Sequence, residues 1–433
     1  MVTLIVKKER VGPIRGRHPW VFSGALKNIP EGLTSGEPVV LHDEQGNFLA
    51  QGFFNSYSQI AVRIWSWDKE EMVDAEFFEK RLKRAYELRK DFVANTPSPL
   101  QSPSGRGTQT NAYRLIHAEN DLLPGLIVDK YAEYLSVQFH NPGIEHWKDL
   151  IVKALVKILK PKGIYERSDV GRRTGHSAHS VISTEAKRSG EIPPGQTKGF
   201  LDFARNDNEK VGLLFGEVPE RVKIKENGYL FWVDIIGGQK TGFFLDQRDK
   251  RLALQKYVMN KKVLNCFSYT GGFSVYALGA GAKSVVSVDA SQPALELAEE
   301  NVKLNKLDES KCEFILADVK EYLTDCQSGE FDVIILDPPA FVKDRHKIKE
   351  GLQGYRKINE MALRILPPGG ILLTCSCSAH VRLEDFRFML SEAAARAGRT
   401  VQVLETFTHG IDHPELAAFT EGEYLKCVFA KVL

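Results

Sequence analysis

The chain has 433 residues, 43% hydrophobic and 26% charged, a globular composition with room for about two to four domains. A formal net charge of +2 gives no global field toward an acidic partner, so any nucleic-acid surface must be local. Six cysteines without paired CxxC spacing argue against a zinc framework or disulfide scaffold, no apolar run reaches membrane-span length, and the amino terminus lacks a signal-peptide core. A cytoplasmic protein with free thiols, no metal and no membrane partner is expected.

Residues 1–72 carry short β-type runs ("TLIVKK", "EPVVLHD", "FLAQGFF", "QIAVRIW") punctuated by Gly and Pro, which predicts a small β-domain. Its first thirty residues lean basic through Lys7, Lys8, Arg10, Arg15, Arg17 and Lys27. Trp20 and Phe22 beside them are read as core aromatics rather than stacking groups. From 74 to 95 the pattern turns helical, with Asp74 as cap and Phe77, Leu82, Tyr86 and Leu88 at helical spacing. Lys80, Arg81, Lys83, Arg84, Arg89 and Lys90 would form a basic outer face, either solvated or a phosphate track.

A central α/β domain is expected over 73–228, with Pro/Ser/Gly-rich or polar insertions near 96–111 and 174–209. From 229 to 433 strands and helices alternate, the signature of a doubly wound, mainly parallel sheet. Ligands sit at the carboxyl ends of such strands. The first strand ends in Phe267-Ser268-Tyr269-Thr270-Gly271-Gly272, the second in Asp289, the third in Asp318 and the fourth in Asp337-Pro338-Pro339.

Asp289 lies eighteen residues beyond Gly271, the spacing at which a carboxylate meets ribose hydroxyls. The turn is not GxGxxG. A cofactor without a pyrophosphate needs only one close approach, so S-adenosylmethionine fits better than a dinucleotide, with Asp318 facing the adenine amino group. The competing reading is that the three aspartates only cap helices. Lys240, Gln247 and Arg248, in "GGQKTGFFLDQRDKR", are placed to close over the cofactor's carboxylate end, or to form a solvated face.

The turn Asp337-Pro338-Pro339-Ala340-Phe341 suits a planar base held by stacking. Downstream, "LLTCSCSAH" puts Cys375 and Cys377 on one face of the next strand. Cys375 lies deeper and is read as core. Cys377 lies at the chemical end. C5 of a pyrimidine is a poor nucleophile, and a thiolate adding at C6 activates it. Asp337 would then hydrogen-bond the ring near N3.

Together "RHPWVFSGA", "GLIVDKY", "ERSD", "TGFFLDQRD", "NCFSYTGGFSV", "VVSVDAS", "LDPPAFVK" and "LLTCSCS" resemble the bacterial 23S ribosomal RNA cytosine-C5 methyltransferase I family. The resemblance implies a PUA RNA-binding domain, a small central α/β domain and a class I methyltransferase domain with a Rossmann-like seven-stranded sheet. It implies 23S ribosomal RNA as substrate, S-adenosylmethionine as cofactor, Cys377 as nucleophile and Asp337 as the base-contacting acid. Cofactor contacts fall to Phe267, Tyr269, Gly271, Asp289, Ala290, Asp318, Val319, Asp337, Pro338, Gln247 and Arg248, and substrate contacts to Pro339, Phe341 and Lys240. Many RNA cytosine methyltransferases carry a second cysteine in the strand-four motif, and "DPPAF" has none, so another base must take the C5 proton. Two other functions stay open, a guanine methyltransferase without covalent catalysis and an RNA-binding protein with a vestigial enzyme domain. So does a homodimer.

Overall fold

The structure, a computed structural model, describes residues 1–90, 110–168, 211–342 and 344–433. The insertion expected at 174–209 lies outside them, as does the loop expected at 96–111 apart from its last two residues.

The amino-terminal module has five strands, β1 (Val2–Ile5), β2 (Trp20–Phe22), β3 (Pro38–His42), β4 (Phe48–Phe54) and β5 (Ile60–Ser66), and one short helix, α1 (Val11–Arg15). Their order is β1-β3-β4-β5-β2. Leu4, Val6, Val39, Leu41, Val62 and Ile64 fill its core. Neither predicted core aromatic is there. Phe22 is exposed. Trp20 is half-buried at a junction, its indole N–H donating to Glu119 Oε1 at 2.8 Å and its ring 4.6 Å from that of Phe419. "WVF" alternates as a strand should, but this edge strand faces other parts of the chain.

The central module opens with α2 (Ala75–Arg89), capped by Asp74, which accepts from Phe77 N. Phe77, Phe78, Leu82 and Ala85 are buried, and each large one contributes about 1.5–3 kcal/mol. Leu88 is exposed. The basic face is only partly basic to solvent. Arg81 and Arg89 turn inward, Arg81 pairing with Glu71 at 2.9 Å and Arg89 bidentate to Asp121 at 2.7 Å. An arginine stem buries as readily as leucine when its fork finds a carboxylate, and helical spacing alone cannot reveal that. The sheet that follows comprises β6 (Ala112–His117), β7 (Leu126–Tyr131), β8 (Tyr134–Phe139), β9 (Gly163–Arg167) and β10 (Val211–Gly216), with α3 (Pro142–Glu145) and α4 (Lys148–Leu159) between β8 and β9. Its order is β10-β9-β8-β7-β6.

A hairpin, β11 (Val222–Glu226) and β12 (Tyr229–Val233), leads into α5 (Arg248–Leu254) and the last module. There follow β13 (Lys262–Cys266), α6 (Gly272–Gly279), β14 (Ser284–Asp289), α7 (Gln292–Leu304), β15 (Cys312–Leu316), α8 (Val319–Asp325), β16 (Val333–Leu336), α9 (Ile348–Ile365), β17 (Ile371–Ser376), α10 (Leu383–Arg396), β18 (Val401–Phe407) and β19 (Lys426–Val432). The seven strands run β15-β14-β13-β16-β17-β19-β18, all parallel except β19. "VIIL" in β16 is buried on both faces, as a central parallel strand requires. The chain runs outward from β13 to β15, then returns to β16 beside β13. That reversal opens a crevice at the carboxyl ends of β13 and β16.

Residues 408–425, between β18 and β19, leave the sheet and reach both other modules. Glu421 meets His18 at 3.2 Å, and Leu416 N donates to Asn120 Oδ1 at 2.9 Å. Asp412, fully buried, accepts from Arg248 Nη2 at 2.8 Å and from Arg114 N at 2.9 Å. His117, His409 and His413 cluster there, ring centroids 5.1–6.1 Å apart. Burial, with neighbouring His413, pushes His409 down to about 3 and holds His117 well below its usual range. The folded chain therefore refuses protons that the unfolded chain accepts near pH 6.5. Stability is full above that value and declines as pH falls toward 3. His409 alone should cost about 2 kcal/mol at pH 5. Denaturation midpoints at pH 7.5 and pH 5 measure this, and equal midpoints would contradict it.

Candidate active site

The loop after β13 is bent tightly. Phe267, Tyr269 and Gly271 all have positive φ (59°, 47° and 72°), and a Cβ on Gly271 would stand 2.8 Å from that of Ala298. Only glycine meets both demands there. Non-glycine residues at positive φ are uncommon and concentrate at functional loops. The Tyr269 amide donates to Asp289 Oδ2 at 2.8 Å, tying this loop to the end of β14. The hydroxyl of Tyr269 accepts from Gln239 N at 3.0 Å, tying it also to the turn that carries Lys240.

Sequence reasoning posed three aspartates as either ligand contacts or caps, and the structure divides them. Asp318 is exposed and caps α8, Oδ1 accepting from Lys320 N and Glu321 N. Asp289 is half-buried and accepts from Ser291 N as well as Tyr269 N. Asp337 caps nothing. Its Oδ1 accepts from Gln247 Nε2 at 2.9 Å. Burial and then the Asp246 carboxylate raise it to about 7, against the pull of Lys240. Ala290 is exposed and Val319 buried, each one step beyond its aspartate.

Ser268 Oγ and Thr270 Oγ1, in the bent loop, are buried without a protein hydrogen-bond partner. The loop itself, "FSYTGG", holds no lysine or arginine. Neutral hydroxyls beside a half-buried carboxylate suit a nucleoside without a pyrophosphate, which is the chemistry of S-adenosylmethionine.

Across the crevice, Cys377 follows β17 by one residue and is half-buried. Its thiol donates to the Pro338 carbonyl, Sγ to O 3.9 Å. The sulfur thus touches the Asp337-Pro338-Pro339 turn. Burial raises the thiol to about 11, Lys240 opposing and Asp337 assisting. Cys375, as expected, is core. It is fully buried and pairs across the sheet with Cys427. Pro339 is exposed, while Pro338 is buried. Phe341 is half-buried, its ring 4.6 Å from that of Tyr355. Tyr355 OH and Ser378 Oγ are 2.9 Å apart, and Ser378 Oγ accepts from Val342 N, so the Asp-Pro-Pro turn and the cysteine loop are fastened together.

Of the three residues expected over the cofactor's carboxylate end, Lys240 alone is exposed at the crevice, its ammonium 4.7 Å from the Phe244 ring centroid. Gln247 is turned to Asp337. Arg248 is spent on Asp412. A charge-dense motif does not say which member faces inward.

Several residues at the site escaped the sequence reading. Asp246, buried, accepts from Tyr424 OH at 2.7 Å, while its Oδ1 has no partner. Burial favours its neutral form, but Lys240, His413 and the Tyr424 hydroxyl outweigh that and hold it below its usual range. Lys426 is buried, with Nζ donating to Ser378 O at 3.0 Å behind Cys377. Burial depresses its pKa. Asp246 lies within a quoted motif and was within reach of the sequence. Tyr424 and Lys426 are near only through the antiparallel return of β19.

The strand order, the crevice and the acidic strand ends together define a class I methyltransferase carrying an additional β-rich module. Residues 197–426 match the S-adenosylmethionine-dependent methyltransferase family and residues 4–67 a PUA-like domain. The ribosomal RNA large subunit methyltransferase I of Enterobacter sp. (strain 638) is 40% identical over 434 residues, covering 100% of each chain. That of Salmonella typhimurium is 40% identical over 432 residues, 99% of this chain and 97% of its own. A SAM-dependent methyltransferase chain from Streptococcus mutans superposes with a TM-score of 0.79 at 23% identity, over 100% of both chains. A second methyltransferase chain, complexed with SAH, gives 0.79 at 22%, also over 100% of both. This chain belongs to the ribosomal RNA large subunit methyltransferase I family. It is an S-adenosylmethionine-dependent methyltransferase.

Proposed function

We propose that the protein methylates C5 of a cytosine in 23S ribosomal RNA through a covalent bond between Cys377 and C6. The observation that carries this reading is the contact between Cys377 Sγ and the Pro338 carbonyl, which unites thiol, Asp337 and a base-sized turn. A guanine enzyme needs no thiol there. A vestigial domain would not be expected to keep Asp337, half-buried, against a dedicated amide donor.

The Cys377 thiolate adds to C6, and the ring electrons move to C5. Asp337, protonated, donates to N3 and takes up the charge that develops there. The Phe267–Gly271 loop, Asp289, Asp318 and Pro338 would hold S-adenosylmethionine in the crevice, where it would supply a methyl group for C5 and leave as the neutral thioether S-adenosylhomocysteine. Loss of the C5 proton to a base then expels the thiolate. Pro339 and Phe341 flank the base, and Lys240 faces its phosphate or the thiolate. The module of residues 1–72 contacts RNA elsewhere, presenting exposed Phe22 and Tyr57 with Lys8, Arg10, Arg15 and Arg17.

With Asp337 near 7 and the thiol near 11, the pair holds one proton between those values, mostly on sulfur, and the reacting form is the minor tautomer in which that proton has moved to Asp337. Acidification below about 7 adds a second proton and silences the thiol. Thus kcat/KM should fall about tenfold per pH unit below that value, and stay level above it until the thiol's own range. The deciding experiment uses labelled S-adenosylmethionine and large-subunit RNA from cells lacking the enzyme, followed by nucleoside analysis. 5-Methylcytidine is expected. Methylguanosine would refute the reading, and so would absence of transfer.

A further inference from the structure

We propose that Gln247 is the positioning residue that decides which oxygen of Asp337 carries its proton, and that Cys427 holds the Gln247 amide in the orientation this requires. The inference rests on the role given to Asp337 above. Gln247 is 3% exposed and ends the short turn Leu245–Gln247. Its Nε2 donates to Asp337 Oδ1 at 2.9 Å, and its Oε1 accepts from the Cys427 thiol at 3.6 Å. Cys427 is fully buried and stands opposite Cys375 in the β17–β19 pairing.

An amide has unlike ends, so its orientation carries information. In this orientation Oδ1 is held as an acceptor, and the proton must reside on Oδ2. Flipped, the amide would offer an oxygen to Asp337 and capture that proton, while its NH₂ would face a thiol, a weak acceptor. The Cys427 S–H donor opposes the flip. Glutamine also adds no charge. A lysine or arginine in its place would favour the ionised carboxylate and strip the proton.

The other groups acting on Asp337 come from several elements. Asp246 lies on the same turn, Lys250 and Arg251 on α5, and Lys240 on the preceding turn. Cys375 and Cys377 lie on and just beyond β17. Asp246 is held as an anion by Lys240, His413 and the Tyr424 hydroxyl, and no hydrogen bond joins it to Asp337. Among these, Gln247 is the one that makes a direct hydrogen bond to Asp337.

The test is the pH profile of kcat/KM for C5 methylation by the full chain. Gln247→Leu removes a hydrogen bond to the ionised acid, so the acid limb should move up by about one pH unit. Cys427→Ser keeps a donor and should keep the wild-type limb. Cys427→Val frees the amide and should shift the limb in the same direction, by less. A Gln247→Leu enzyme that is slower with its limb unmoved would reduce Gln247 to a structural role and overturn the inference. A Cys427→Val enzyme with the wild-type limb would overturn the part given to Cys427. If Gln247→Leu fails to fold in a melting experiment, the Ser and Val variants at 427 still decide. Failure of the underlying reading looks different, because Asp337→Leu, which has no donor for N3, would then retain C5 methylation whatever the limb does.

Discussion

Replacing Cys377 with Ala should abolish methyl transfer, by on the order of a thousandfold or more, while leaving the fold intact. The side chain is half-buried at the rim of the crevice, and its one polar contact is a long one to Pro338 O. Little packing is lost with the sulfur, so a melting curve close to wild type should accompany the loss of activity. RNA carrying 5-fluorocytosine should trap the wild-type enzyme, since fluorine blocks departure of the C5 proton. The adduct should map to Cys377 by peptide mass. A Cys377→Ala variant that still forms 5-methylcytidine would remove the nucleophile from the mechanism. Cys375→Ala is the contrasting case. That thiol is sealed between strands, and its loss should register in stability before chemistry.

The second large effect concerns folding. Asp412→Ala should destabilise the chain by about 3–5 kcal/mol. Asp412 is fully buried and accepts from Arg248 and the Arg114 amide, with His413 Nδ1 3.2 Å away. Arg89, itself buried, donates to its backbone carbonyl at 3.1 Å. Removing the carboxylate leaves the buried Arg248 guanidinium with only a longer contact, 3.6 Å, to the part-exposed Asp249 carboxylate. Replacing both partners with apolar residues should recover much of the loss. Chemical denaturation of the single and double variants gives the comparison. A single variant as stable as wild type would mean that water reaches this junction.

Much of the catalytic module was legible because its signals are local. A parallel strand buried on both faces reads as an apolar run, and its carboxyl end is marked by the next polar residue. Asp289, Asp318, Asp337 and Cys377 were placed at or just beyond strand ends in that way. Proximity in the fold, not along the chain, decided what was missed. Tyr424 and Lys426 reach the site because β19 returns antiparallel beside β17. Arg248 and Gln247 are sequence neighbours, yet one faces Asp412 and the other Asp337, a split set by the turn at Leu245–Gln247. Burial of Arg81 and Arg89 was hidden for a related reason. Their carboxylate partners, Glu71 and Asp121, lie 10 and 32 positions away, so the basic helix face read as solvated or as a phosphate track. Trp20 illustrates the same point from the apolar side, since its partner Phe419 belongs to the far end of the chain.

The excursion of residues 408–425 has a bearing on synthesis. Its anchors at His18, Trp20, Asn120 and Arg114 emerge from the ribosome hundreds of residues before it does. The early modules must wait with those sockets open, and the final hairpin locks only when this strap arrives. Catalytic competence is thereby deferred until this strap is made, and a fragment lacking the first two modules would keep only the strap's grips on Arg248 and Asp246.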